Sequence, residues 1–175
     1  MQQEIERALQ VLIGLPLWGA GRTSILEWFQ FGERRALPHD DGGERVAGTY
    51  TLHVQCAWRL GGPTGILVGS FDRYLAAGPD PFKDYATLDW DRPGANRCDE
   101  RMDALFDALG DDLPVVEAVR ADYAGGFRLM LSRGLALDAF PDHSLEGEYW
   151  RLFQPGTEEG HFAVTGMGVE EEAAE

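Results

Sequence analysis

The chain has 175 residues, 44% hydrophobic and 11% aromatic, with 30 Asp and Glu against 15 Lys and Arg for a formal charge of -15. That length and apolar content suit one core, able to bury roughly 70% of the surface the unfolded chain exposes, and they exclude a disordered polyelectrolyte. The acidity repels phosphate backbones and anionic lipid over a Debye length of roughly 8 to 10 Å, so nucleic acid and membranes are not expected partners; it leaves either solubility alone or attraction of a basic protein.

Residues 2 to 13 place Ile5, Leu9, Leu12 and Ile13 at helical spacing before Gly14 and Pro16, which predicts a short N-terminal amphipathic helix. The opening MQQEIER has no basic start of a secretory signal, and no apolar run reaches the 18 or so residues of a membrane span, so a cytoplasmic protein is expected. PLWGAGRTS then reads as a turn, since its two glycines lack the third of a dinucleotide fingerprint, and the first strand is placed from Ser24 to Phe31. Arg22, beside Trp18, suits a bidentate carboxylate partner. HDDGGE, 39 to 44, reads as an exposed polar loop.

From Thr49 to Leu60 the alternation turns Leu52, Val54, Cys56, Trp58 and Leu60 one way and His53, Gln55 and Arg59 the other. GGPT and the apolar GILVGS then complete a predicted hairpin over 49 to 70. A metal site needs three or four convergent ligands, and alternation separates Cys56 from His53, so no metal is expected there. Cys56 and Cys98 form no disulfide framework and are expected as reduced thiols. The polar row of His53, Gln55 and Arg59, with Trp58 and Trp90 as apolar walls, is the candidate binding face; a plain solvated strand face is the alternative.

Phe71 to Asn96 is a long connection rich in acids, aromatics, Pro and Gly. Within it, residues 89 to 100 match a calcium loop only in part, at Asp89, Asp91, Gly94 and Glu100, and Pro93 spoils the pattern. Asn96 is predicted to cap a helix to Leu109, with Asp99 at its third position and an apolar stripe of Cys98, Met102, Leu105, Phe106 and Leu109. The C-terminal half reads as a five-strand antiparallel meander, VVEAVRADY, FRLMLS, LALDAF, EYWRLF and HFAVTG, with Ser132 to Leu135 as its best hairpin turn. Residues 168 to 175 read as an acidic tail after a single domain over 1 to 167.

The fold class is therefore α+β: mainly antiparallel sheet with an N-terminal helix and one central amphipathic helix. No G-x-S-x-G or other complete catalytic signature is present, Asp142-His143-Ser144 falls in a predicted turn, and no cofactor is expected. PLWGAGR, HVQCAWR, NRCDE, GGFRLMLSRG and YWRLF resemble, across most of the chain, a group of small uncharacterised bacterial proteins. In size, acidity and layout the chain is also similar to immunity proteins that neutralise toxins. That similarity implies an acidic interaction protein, an immunity-type inhibitor of a basic protein. The competing expectation is a small-molecule binder or enzyme that uses the polar face of 49 to 60, and a third is self-association through a sheet edge.

Overall fold

A computed structural model describes residues 1–38 and 42–172. The protein is α+β, and its strands form a six-stranded and a five-stranded antiparallel sheet that share one core, with a separate two-stranded ribbon. Helix α1, Gln2–Leu9, tightens into a 3₁₀ turn over Gln10–Leu12, so Ile5, Leu9 and Leu12 are buried whereas Ile13 is exposed. Three strands follow in pairing order: β1, Leu17–Thr23, β2, Leu26–Phe31, and, after the two-stranded ribbon of β3, Arg35–Pro38, and β4, Glu44–Ala47, strand β5, Tyr50–Val54. Strands β6, Ala57–Gly62, and β7, Gly65–Gly69, begin the second sheet.

Helix α2, Arg97–Leu109, starts at Asn96, whose side-chain oxygen accepts from the Asp99 backbone N–H, and stops at Gly110 with φ of 53°. Strands β8, Val116–Ala121, β9, Phe127–Leu131, and β10, Leu135–Phe140, return to the second sheet. Strands β11, Glu148–Phe153, β12, His161–Thr165, and β13, Gly168–Glu172, return to the first. The orders are β1-β2-β5-β11-β12-β13 and β7-β6-β10-β9-β8. The sheets meet face to face through edge-on rings, Phe29 against Trp58 at 5.3 Å and Phe127 against Trp150 at 5.0 Å. Helix α1 packs on β8, and α2 packs on β1 and β7.

Several expectations change. PLWGAGRTS is mostly strand: β1 pairs with β2 around a turn at Ser24, which takes φ of 53°. Its glycines serve packing, since a Cβ on Gly21 would enter the Trp28 indole. The 49 to 60 segment is two strands. Gln55 and Cys56 both donate their backbone N–H to Tyr149 O, at 2.8 and 3.1 Å, and this bulge carries the chain from one sheet into the other. The predicted hairpin is thus β6–β7 alone, with β7 an edge strand that buries only Val68.

The predicted meander exists as five strands, but three belong to one sheet and two to the other. Ser132 to Leu135 does form the β9–β10 turn, with Arg133 and Gly134 at φ of 66° and 70°. The acidic stretch expected as a tail contains β13, paired with β12 from His161↔Glu172 to Thr165↔Gly168. Of the polar loop expected at 39 to 44, residues 39–41 lie outside the described residues, Gly42 and Gly43 are exposed, and Glu44 opens β4.

Candidate functional site

The bulge scatters the residues that sequence alternation placed on one row. His53 and Gln55 enter a cleft of about 240 Å³ with Glu148, Arg151, Phe153 and His161. There Gln55 Nε2 donates to Glu148 Oε1 at 3.0 Å, and the His53 ring meets the Phe153 ring edge-on at 4.8 Å. Burial, with Arg151 beside it, pushes the His53 imidazole down to about 4, so it is neutral near neutrality. Arg59 instead lies across β6 from β10, where its Nε donates to Asp138 at 2.9 Å. Trp58 is a core residue that also contributes to a groove of about 460 Å³, shared with Gln55 and Arg59. Its buried indole N–H has no hydrogen-bond partner among the described residues.

Trp90 stands apart from all of these, in a knot built on α2's N-terminus. Arg22 from β1 donates to both Asp99 oxygens, at 2.7 and 3.1 Å, to Asp91 Oδ1 at 3.0 Å and to Trp90 O at 2.9 Å. The bidentate carboxylate expected for Arg22 is present, but its aromatic neighbour is Trp90 at 5.9 Å; Arg34 covers Trp18. Asp99 also accepts from Gly94 N–H and Asn96 Nδ2. Burial opposes its charge, yet these bonds outweigh burial and hold its carboxyl below the ordinary range. The acids of the partial calcium match thereby take separate partners: Asp91 pairs with Arg22, and Glu100 accepts from Gly78 N–H. No group of three or more His, Cys, Asp or Glu among the described residues could hold a metal ion.

Beside this knot a cleft of about 440 Å³ opens between the β1–β2 hairpin and α2, lined by Arg22, Ser24, Asp91, Asp99 and Asp103 and reaching Glu27 and Cys98 at its buried side. Glu27 is 1% exposed, and among the described residues its carboxyl accepts one hydrogen bond, from Cys98 Sγ at 4.0 Å. Desolvation dominates, partly offset by Arg73 and Arg22, and pushes the Glu27 carboxyl up to about 8. Arg73 cannot close on it fully, because its guanidinium donates to the carbonyls of Ser70 and Ile25. Cys98 is driven up by the same burial and by Glu27, and Cys56 is pushed up to about 12, so both hold their protons near neutrality. Glu27 shares its inward parity with Phe29 and Phe31, and that was the available signal in ILEWFQF.

From Asp103 at the cleft's edge, α2 shows solvent a face of Glu100, Asp103 and Asp107, continued by exposed Asp111 and by Asp112, which pairs with Arg133 at 3.1 Å. The adjoining connection adds exposed Asp80, Asp84 and Asp89, the exposed cation Lys83, and the rings of Phe82 and Tyr85, which are 6.3 Å apart and 69% and 52% exposed. Comparison with protein families, curated proteins and solved structures gives no match for the chain.

Proposed function

We propose that the protein is an acidic docking protein, of the kind an immunity-type inhibitor would be, and that a basic protein binds the outer face of α2 together with the 71 to 96 connection. The observation that carries this reading is the set of exposed carboxylates at Glu100, Asp103, Asp107 and Asp111, with two exposed aromatic rings, Phe82 and Tyr85, on the connection that leads into α2. Exposed rings act as anchors where they can be buried against a partner, and the surrounding carboxylates speed and orient its approach. The connection is long but not loose: Ala76 and Ala77 donate to Pro81 O and Ala95 O, and Arg97 donates to Leu75 O. A surface held in this way costs little ordering entropy on binding. The Glu27 cleft adjoins the same face and would receive an inserted lysine or arginine, with Asp91 and Asp103 at its mouth.

The test is capture of proteins from a lysate of the source organism on immobilised wild type and on the Asp103→Lys/Asp107→Lys variant, at low and at high salt. Retention of a defined basic protein by wild type at low salt only, and its loss on charge reversal, supports the reading. Capture that ignores both salt and the two lysines refutes it.

A further inference from the structure

The outer face of the second sheet carries the opposite chemistry. Strand register sets Arg59 of β6, Asp138 of β10, Arg128 of β9 and Arg120 of β8 in one row across four strands. Asp138 is committed to two of them: Arg128 donates from Nε and Nη2, the latter at 2.9 Å, and Arg59 donates from Nε alone. The two Nη groups of Arg59 make no hydrogen bond among the described residues, and Arg120 makes none at all there. A row of three arginines against one carboxylate is notable on a chain of charge -15.

This row borders a cavity of about 340 Å³, which shares Arg59 and Phe140 with the groove of about 460 Å³ next to it. The two form one trough. Its far end is apolar, walled by Ile25, Ile66, Phe71 and Phe140, of which Ile66 and Phe71 are 63% and 61% exposed. Exposed side chains of this size grouped around a concavity mark a binding surface, and a groove of this volume is in the range of small-molecule sites. Asp142 lies at the apolar end, and the guanidinium of Arg59 sits 5.5 Å from the Phe140 ring centroid where the two ends meet. An anion is thus drawn to the arginine end, where three guanidinium groups face Asp138 and Asp122.

We infer that this trough binds an amphipathic carboxylate of the fatty-acid type, with its carboxylate on the Nη groups of Arg59 and its alkyl chain between Ile66, Phe71 and Phe140. Arg128 and Arg120 extend the positive field beyond the carboxylate, and Asp122 at that end is occupied by the N–H groups of Ala124 and Gly126. This site lies off the acidic face of α2, meets the proposed docking surface only at the start of the 71 to 96 connection, where Phe71 lies, and does not depend on a protein partner.

The experiment is amide NMR titration of the whole protein with hexanoate, octanoate and decanoate, and with octanol as the uncharged probe. Affinity should rise about threefold to fourfold for each methylene that enters the apolar end. Octanoate should bind about tenfold more tightly than octanol, and Arg59→Gln should abolish that preference. Phe71→Asp, at an exposed position, should weaken octanoate at least tenfold, whereas Ile13→Asp, on an exposed apolar residue elsewhere, should leave it unchanged. Unperturbed spectra away from the trough show that each variant is folded. Absence of saturable shifts, affinity indifferent to chain length, or Arg59→Gln and Phe71→Asp proteins that bind octanoate as wild type does would each overturn the proposal.

Discussion

Replacing Glu27 by glutamine keeps the shape of the side chain and removes its ability to ionise. The carboxyl is displaced from 4.5 to about 8 by burial, so the folded state holds its proton more tightly than the unfolded chain does. Below the unfolded value the group therefore costs nothing. As pH rises from 4.5 towards 8, the unfolded chain releases the proton while the fold retains it, and stability drains away. Near pH 7 the interval is about two and a half units, and at ~1.4 kcal/mol per unit the cost is about 3 kcal/mol. Glu27→Gln should recover this amount. For a domain of this length it corresponds to a melting-temperature gain of roughly 6 to 12 °C near pH 7 and almost none near pH 4.5. Thermal melts of both proteins across this range measure the difference, and subtraction cancels the repulsion of the other carboxylates. A gap that does not change with pH, or a wild type more stable than the variant at pH 8, would mean that Glu27 is ionised in the fold and paired with Arg73 or Arg22.

The Arg22–Asp99 pair should behave in the opposite sense. Asp99→Ala removes the anchor of a guanidinium whose side chain is 6% exposed, together with acceptors for Gly94 and Asn96, and should cost about 3 kcal/mol in urea unfolding. The Arg22→Met/Asp99→Leu double variant should regain part of that loss, because it leaves no unpaired buried charge. His53, pushed down to about 4, is neutral in the fold while the unfolded chain protonates near 6.5. Its contribution is therefore intact above 6.5 and lost as pH falls towards 4, and His53→Gln should reduce the difference between the urea unfolding free energies at pH 7 and pH 5 by about 1 to 2 kcal/mol.

How much of this was legible in the sequence depended on which physical signal each element carries. Helix α2 was readable to within a residue because its start is a local matter, the Asn96 oxygen on the Asp99 N–H, and its stop is a glycine. The β9–β10 turn was readable for the same reason, since Arg133-Gly134 supplies two residues in the left-handed region. Alternation from Leu52 to Leu60 named the buried residues correctly, and all five are in the core. It could not show that the segment changes sheets. Both sheets face one core, so inward parity is the same on either side of the bulge, and what distinguishes them is a pairing to Tyr149, almost a hundred positions away. Consequently His53 and Arg59 were assigned one groove and occupy two. Strand β1 was hidden because glycine and arginine read as a turn, and β13 because three consecutive glutamates read as a tail. Charges on an outermost strand are nonetheless what keeps an exposed edge from pairing with another chain.

The arginines connect these observations. Fourteen of the fifteen basic residues are arginine, and Lys83 is the one lysine. A planar fork with five donors can satisfy several carbonyls and carboxylates at once, which an ammonium cannot. Arg22 joins β1 to α2 through Asp99, Asp91 and Trp90, Arg73 joins the connection to the β1–β2 turn through Ile25, and Arg35 reaches the carbonyls of Gly48, Thr49 and Pro155. Each of these uses positive charge internally, beneath the surface or within ion pairs. On α2's outer face the exposed Arg101 and the Arg133–Asp112 pair still leave the carboxylates of Glu100, Asp103, Asp107 and Asp111 in excess, while the second sheet sets three guanidinium groups against Asp138, with Asp122 on the same cavity. An even scatter of the same residues would give a weakly acidic surface everywhere. Assigning some arginines to cross-links and gathering others in one row instead leaves α2's outer face with an excess of carboxylates and the second sheet with a row of guanidinium groups.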